Sequence, residues 1–363
     1  MPEAQWIEDE RGAADLARAL GGRATIGIDT EFLRERTFYP RLCLVQIAAG
    51  AEVWLVDAIR APLAPLAAPL AAATTIKLVH SARQDVEALY LSAGCLPAPL
   101  FDTQVAAGCT GLKPQIGYAE LVATLLGVHL DKAHTRTDWS RRPLSAEQIA
   151  YAADDVRYLE EVAARLQERL RALGRERWVT EDCATLGDPS RLEPDPARAW
   201  ERLRAIAQLP PRPRARAKAI AEWRERLARE RNLPRGWILP DAAIFAIAHS
   251  GPTTAAQLAA VDGMPESFNS GFAQSLLARL ADLPHDAAGM AESAPDPRPT
   301  DAQKALAERL VRILDACAAE LGVSAEVLAT RGQIRAIAMG RRDVEALSGW
   351  RREMIGDRLL AAI

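Results

Sequence analysis

The sequence predicts a multidomain protein whose α/β first half, built on a largely buried sheet, is followed by all-helical pieces. Its 363 residues exceed the roughly 150 of a typical domain. Strand-like and helix-like segments alternate up to about residue 144, and the β-signal nearly vanishes after it. Two proline-bearing polar segments, 186–196 and 284–299, are typical of linkers.

The predicted strands are short apolar runs rich in β-forming residues, at 24–29, 42–48, 53–58 and 76–80. The last of them precedes a helix-like stretch that begins at Asp85. From residue 145, apolar residues recur three and four apart until Gly174, a typical helix terminator. The predicted organisation is a first domain over 1–190, a helical domain over 197–283, a linker over 284–299 and a shorter helical domain over 300–363.

The charge balance excludes a chain that is basic throughout. The sequence has 45 basic and 48 acidic residues, so any basic patch must be local. Residues 200–235 hold 11 basic and 4 acidic side chains. Two interpretations stay open for this segment: a surface that binds a phosphate backbone, or a solvated helix face.

Several classes of protein are disfavoured by what the sequence lacks. The acidic N-terminal segment shows no export signal, so we expect a cytoplasmic protein. The most apolar stretch, 61–73, is broken by three prolines and is shorter than the roughly 20 residues that cross a bilayer, so no membrane partner is expected. Five cysteines without a CxxC pair disfavour a disulfide framework or a zinc site. No phosphate-binding GxxxxGK[ST] loop occurs, so no nucleotide cofactor is expected.

The first candidate functional motif is Asp29-Thr30-Glu31, at the end of an apolar strand. Side chains at i and i+2 on a strand share a face, so both carboxylates point the same way. Taken alone, the motif is more typical of acids at a solvent-exposed strand end.

Two further motifs carry carboxylates on helices. In residues 80–85, Ser81 and Gln84 have capping-box spacing, which predicts a helix that starts near Ser81 with Asp85 in its first turns. In residues 151–159, Tyr151 and Asp155 lie four apart and share a helix face, while Asp154 points about 100° away.

Together the motifs supply four carboxylates and a tyrosine. Two carboxylates about 4 Å apart repel by roughly 4 kcal/mol at an effective dielectric constant near 20, so such a cluster needs cations. Oxygen ligands select hard divalent ions such as Mg²⁺ or Mn²⁺. Two such ions suit the hydrolysis of a phosphodiester, because they clamp the attacking and leaving oxygens.

The motif order DTEF (29–32), H-x4-D (80–85) and YAADD (151–155) resembles the DEDDy branch of the DEDD 3′–5′ exonuclease superfamily. The surrounding segments 36–48, 101–107 and 130–159 are similar to the ribonuclease D family within it. The middle helical piece resembles an HRDC domain, and the last resembles a second, weaker copy. The resemblance implies a ribonuclease H-like first domain with a central mixed sheet, followed by two all-α HRDC-like domains.

The resemblance also implies roles for individual residues. Asp29, Glu31 and Asp155 would bind the metal ion that holds the attacking water, Asp29 would also bind a second ion, and Asp85 would support that second ion. Tyr151 would orient the water. Its usual pKa near 10 makes it a poor base at pH 7, so we expect a hydrogen-bonding role.

Candidate substrate contacts come from the same motifs. Phe32 is expected either to stack on the terminal base or to pack in the core. His80 and Gln84 are candidates for contacts to the terminal nucleotide, although a lone histidine is more often a structural hydrogen-bonding residue.

The expected function is a 3′–5′ exoribonuclease that depends on two Mg²⁺ or Mn²⁺ ions and releases nucleoside 5′-monophosphates. The resemblance implies RNA 3′ ends, tRNA precursors among them, as substrates. One alternative is a 3′–5′ exodeoxyribonuclease, since the carboxylates do not sense the 2′-hydroxyl. Another is a non-catalytic RNA-binding platform, against which the intact set of carboxylates and tyrosine argues.

Overall fold

A computed structural model of the protein describes residues 3–94, 96–131, 137–266, 268–283 and 299–363. The predicted linker 284–299 lies, except for Pro299, outside the described residues. The chain divides into two compact units. The first comprises Met1–Leu33, Arg41–Asp188 and Pro299–Ile363, and the second comprises Arg34–Pro40 and Pro189–Arg298. The domain boundaries drawn from the sequence stay predictions.

The first unit contains a mixed six-stranded sheet, as predicted. Its order is β1-β4-β3-β2-β5-β6, with β3 antiparallel to both β2 and β4 and all other neighbours parallel. The sequence did not reveal β1 and β6, which have three residues each and are too short to show alternation. The strands are β1 Gln5–Ile7, β2 Thr25–Leu33, β3 Arg41–Ala49, β4 Glu52–Asp57, β5 Ile76–Val79 and β6 Leu100–Asp102.

Eight helices follow or flank these strands: α1 Glu10–Leu20, α2 Ala67–Ala71, α3 Arg83–Ala93, α4 Thr103–Cys109, α5 Tyr118–Leu126, α6 Ala146–Arg157, α7 Leu159–Leu173 and α8 Glu176–Leu186. The predicted helix from residue 145 to Gly174 is thus two helices with a break at Tyr158. A capping box between Ser145 and Gln148 starts α6, and Gly174 ends α7 at φ 67°, as predicted.

The junction of α6 and α7 lies directly against β2. A Cβ atom on Gly27 would stand 3.3 Å from the Val156 carbonyl oxygen and 3.2 Å from Leu159 Cδ1. Ala152 and Ala153, both buried, give α6 the same close approach to the sheet. The end of α6 that carries the third motif is therefore held over the strand that carries the first.

The second unit is helical, with α9 Pro189–Leu192, α10 Pro211–Arg231, α11 Arg235–Ile238, α12 Asp241–Ser250, α13 Ala255–Ala259 and α14 Ser270–Ala281, and with 3₁₀ turns at Pro196–Arg202 and Ile206–Gln208. Its core includes a residue from the short segment Arg34–Pro40. Phe38 is buried there, with the guanidinium groups of Arg229 and Arg235 over its ring at 5.7 and 4.5 Å. The Tyr39 N–H donates to Asn232 Oδ1 at 3.0 Å.

Several arginines of the basic segment 200–235 make hydrogen bonds within this unit, which neither interpretation of its charge anticipated. Arg214 is buried and donates to the carbonyl oxygens of the 3₁₀ turn and the residue after it. Glu225, only 2% exposed, accepts from Arg235 at 2.5 and 2.8 Å, from Arg229 at 3.3 Å and from Arg202 at 3.4 Å. These arginines hold the fold, because buried carbonyl and carboxylate oxygens need donors.

The remaining helices complete the first unit: α15 Asp301–Leu321, α16 Ala325–Leu328, α17 Arg331–Ala338, α18 Gly349–Arg351 and α19 Asp357–Ala361, with a π-helical stretch at Arg352–Gly356. They share a core with α4, α7 and α8. The rings of Trp178 and Trp350 stack at 4.1 Å, and Arg351 pairs with Asp182 at 2.5 and 2.8 Å. No helix among the described residues is long and apolar enough to cross a membrane.

Candidate active site

Three of the predicted carboxylates meet over the middle of the sheet. Asp29 and Glu31 lie on β2, and Asp155 reaches them from α6. One oxygen atom from each lies within 4.8 Å of the others. The strand does not end at this motif, since β2 runs on to Leu33, with a bulge between Glu31 and Phe32. Alternation along the strand therefore places the two acids on one face, as predicted.

Burial and mutual repulsion make this cluster unfavourable as three negative charges. Burial, and then the charges of Asp85, Asp155 and Glu31, raise the pKa of Asp29 well above its usual value. Burial and the neighbouring acids raise the pKa of Glu31 to about 8. Burial is also the main cause that raises the pKa of Asp155 to about 7. A hard divalent cation fits this set, because oxygen ligands suit it and its charge relieves the repulsion.

Asp85 lies beside the three carboxylates without joining their close group. It occupies the first turn of α3, as predicted, and accepts a hydrogen bond from the Thr30 hydroxyl at 2.5 Å. Burial raises its pKa to about 6. Thr30 was not singled out from the sequence, although it stands between the two acids of the first motif.

The predicted capping box at Ser81 is wrong. Helix α3 begins at Arg83 after Ala82, which makes no side-chain cap, and Ser81 has φ 59°. The carboxylate of Asp102 accepts the Ser81 and Ala82 N–H groups at 3.0 and 2.9 Å instead. Sequence reasoning missed this role of Asp102, for which its place directly before α4 was the available signal.

Tyr151 lies one helical turn before Asp155 on the same face of α6, as their spacing predicted, and the two side chains are hydrogen-bonded. Burial and the neighbouring carboxylates raise the pKa of Tyr151 far above its usual value. The phenol is therefore protonated at neutral pH and donates to Asp155. Asp154 is turned away, as predicted, and pairs with Arg157 at 3.0 Å.

The three predicted substrate contacts have different surroundings. Phe32 is half-buried on β2, and Gln84 is exposed on α3. His80 is held on both sides of its ring, with Nδ1 2.9 Å from the Thr103 hydroxyl and Nε2 3.0 Å from the Ile116 carbonyl oxygen. Burial lowers the pKa of His80. Its observed contacts are the structural ones that a lone histidine usually makes.

The fold and the carboxylate site define a 3′–5′ exonuclease that carries an HRDC domain. Residues 4–171 match the family model described as 3′-5′ exonuclease, and residues 214–280 match the HRDC domain. Metal dependence is a general property of this exonuclease superfamily.

Relatives that match nearly the whole chain identify one family within this class of exonucleases. The chain is 42% identical to ribonuclease D of Gluconacetobacter diazotrophicus, covering 99% of this chain and 93% of that one. It is 34% identical to ribonuclease D of Pseudomonas paraeruginosa, covering 100% and 98%. The crystal structure of Escherichia coli RNase D, an exoribonuclease involved in structured RNA processing, matches with a TM-score of 0.89 at 30% identity, covering 99% and 98%. The chain belongs to the ribonuclease D family.

Proposed function

We propose that this protein is an exoribonuclease that removes nucleotides from the 3′ ends of RNA and releases nucleoside 5′-monophosphates with two Mg²⁺ or Mn²⁺ ions. The observation that carries the proposal is the group formed by Asp29, Glu31 and Asp155, whose oxygens lie within 4.8 Å of one another in a chain of this family. A non-catalytic platform would have no need for a carboxylate cluster whose pKa values are raised in this way.

Each of the two ions would be bound by its own set of carboxylates, with Asp29 belonging to both sets. Asp29, Glu31 and Asp155 would hold one ion, and Asp29 with support from Asp85 would hold the second. When bound, such ions polarise the phosphodiester and make water a stronger nucleophile at neutral pH. Tyr151 supplies a hydroxyl that fixes Asp155 and orients the attacking water. It does not serve as the base, because its pKa lies far above neutral.

The terminal nucleotide is proposed to contact Phe32 and Gln84, which lie on the elements that carry the carboxylates and retain exposed surface. Phe32 offers a ring on which a base can stack. His80 is proposed to stabilise the residues that make these contacts, because its hydrogen bonds to Thr103 and Ile116 fix the start of the second motif.

The second unit is proposed to bind the RNA backbone through the arginines that the fold leaves available. Arg212 and Arg216, four residues apart on α10, line a cavity of about 230 Å³, and the described residues of its wall include no acid. One N–H group of Arg216 donates a hydrogen bond to the Ala248 carbonyl oxygen at 3.2 Å. Two guanidinium groups facing one cavity are suited to a phosphate.

The cognate RNA is the finer part of the proposal. The Escherichia coli relative is described as acting in structured RNA processing, and the motifs resemble a family associated with tRNA precursors. We propose the 3′ maturation of tRNA precursors as the role and, from the sequence alone, the cytoplasm as the compartment.

A time course on a 5′-labelled single-stranded RNA and its DNA twin, with Mg²⁺, Mn²⁺ or EDTA, tests the activity. We expect a metal-dependent ladder that shortens from the 3′ end, is stronger on RNA and is absent in Asp29→Asn. Asp154→Asn is the matched control, because it removes the same charge one residue from the cluster and should cleave normally. Equal cleavage of DNA would favour an exodeoxyribonuclease, and binding without cleavage would favour the platform.

A further inference from the structure

Gln46 is a buried polar residue that the proposed mechanism does not use. It lies in the middle of β3 and is 0% exposed. Within the described part of the chain, neither its Oε1 nor its Nε2 atom has a hydrogen-bond partner, and both atoms are buried.

An unpaired amide in this position is costly. Burying such a group without a partner destabilises the folded state, because the group loses its hydrogen bonds with water and gains none in return. Native folds satisfy nearly all such groups, so an exception calls for a physical reason. The neighbours of Gln46 on the strand, Val45 and Ile47, are apolar, and an apolar side chain of similar size would suit the strand better.

The strand register places Gln46 directly opposite Asp29. The two residues are partners in the antiparallel pairing of β2 with β3. Directly opposed residues present their side chains to the same face, with Cβ atoms about 5 Å apart. Leu44 and Ala48, two residues to either side of Gln46, pack on this face with Ala152 and Ala153 of α6. The amide therefore lies under α6, on the side of the sheet where Asp29 meets Asp155.

We propose that Gln46 is a positioning residue for Asp29, and that its Nε2–H group donates a hydrogen bond to an oxygen of the Asp29 carboxylate when the site binds a cation. This inference rests on the proposed metal-dependent function. Carboxylates that bind metals are held by such outer donors, which fix the orientation of the ligand. An amide is suited to this position because it donates without adding a positive charge that would compete with the cation.

The available contacts of Asp29 agree with this role. Its own strand supplies one donor, the Thr30 N–H. A carboxylate has about four acceptor positions, which this single N–H does not fill. Gln46 is the cross-strand neighbour with an amide N–H to offer.

The test replaces Gln46 with leucine in the full-length protein. If the Gln46 amide only destabilised the fold, Gln46→Leu would have an equal or higher Tm and an unchanged Mn²⁺ affinity, because removing an unpaired polar group is neutral or stabilising. The proposal predicts an equal or higher Tm together with Mn²⁺ affinity about 10-fold weaker, the lower end of the effect of losing an outer donor. Mn²⁺ binding is measured by titration calorimetry after chelation, and kcat and KM are measured on RNA, with kcat expected to fall and KM to stay.

Leu55→Met is the matched control, since Leu55 is buried on β4 directly opposite Gln46 and should leave Mn²⁺ affinity unchanged. Gln46→Met is measured as well. If Gln46→Leu fails to fold, the methionine variant still tests the proposal. Wild-type Mn²⁺ affinity in either folded Gln46 variant overturns the role of Gln46. Failure of the wild-type protein to bind Mn²⁺ or to cleave RNA would instead overturn the proposed function.

Discussion

Metal binding should release protons from the carboxylate site, and the number follows from the pKa values that burial and repulsion produce. At pH 7, Glu31 with a pKa of about 8 is about 90% protonated, and Asp155 with a pKa of about 7 is about half protonated. A cation binds their ionised forms. Loading the site at pH 7 should therefore expel about 1.4 protons from these two groups, with a further contribution from Asp29.

Titration calorimetry with Mn²⁺ measures this number directly, because released protons are taken up by the buffer. The binding enthalpy at pH 7 should differ between two buffers in proportion to their ionisation enthalpies. Glu31→Gln should lower the proton count by about 0.9, the share of Glu31 at this pH. Asp154→Asn, which removes only a charge that helps to raise the pKa of Asp155, should lower the count by less than the half proton that Asp155 itself releases.

The sign of the pH dependence is fixed by the same values. Mn²⁺ affinity should rise with pH through the range from about 6 to about 8 as the carboxylates lose their protons. The site carboxylates should have the opposite effect on the stability of the protein without metal. They bind protons more tightly in the folded than in the unfolded state, so their contribution to stability should fall as the pH rises from about 4 to about 8, and Glu31→Gln should reduce that fall in Tm. Binding enthalpies that are equal in both buffers, with affinity independent of pH, would refute this account of the site.

Three further predictions follow from described contacts. Tyr151→Phe should lower kcat and weaken Mn²⁺ binding by about 10-fold, because it removes the hydroxyl that donates to the proposed ligand Asp155; an unchanged kcat would contradict this role. Trp350→Ala should destabilise the first unit by about 3–5 kcal/mol in urea unfolding, because Trp350 is 1% exposed, whereas unchanged stability would show that its stacked ring contributes little. Arg212→Gln should lower the slope of log affinity for RNA against log salt by about 0.7, while Arg226→Gln, which removes an exposed and already paired charge, should leave the slope unchanged.

The geometry of the carboxylates could be predicted because it depends on local periods. The two-residue repeat of a strand places Asp29 and Glu31 on one face, and the helical repeat places Tyr151 beside Asp155. The sequence also indicates the close approach of α6 to β2, because Gly27 and Ala152 are small.

Partners contributed by distant elements could not be predicted in this way. The basic segment 200–235 suggested exposed charge, yet Glu225 and backbone carbonyl groups occupy many of its arginines. Ser81 had the spacing of a helix cap, but Asp102 supplies the carboxylate from another strand. Asp102 stands 21 residues from Ser81, and Glu225 stands 10 residues from Arg235 and 23 from Arg202, so a window of a few residues does not contain these partners.

The segment Arg34–Pro40 has a consequence for how this protein can be dissected. The chain passes between the two units after Leu33, after Pro40, after Asp188 and again before Pro299, so the order of residues along the chain is not the order of its units. A truncated chain that stops at Asp188 would lack the residues of the second unit that pack around Phe38. It would also lack Trp350, which belongs to the core of the first unit. Loss of activity in such a fragment would report broken folding as much as a missing RNA contact, and point substitutions inside the intact chain are the sounder way to assign function to either unit.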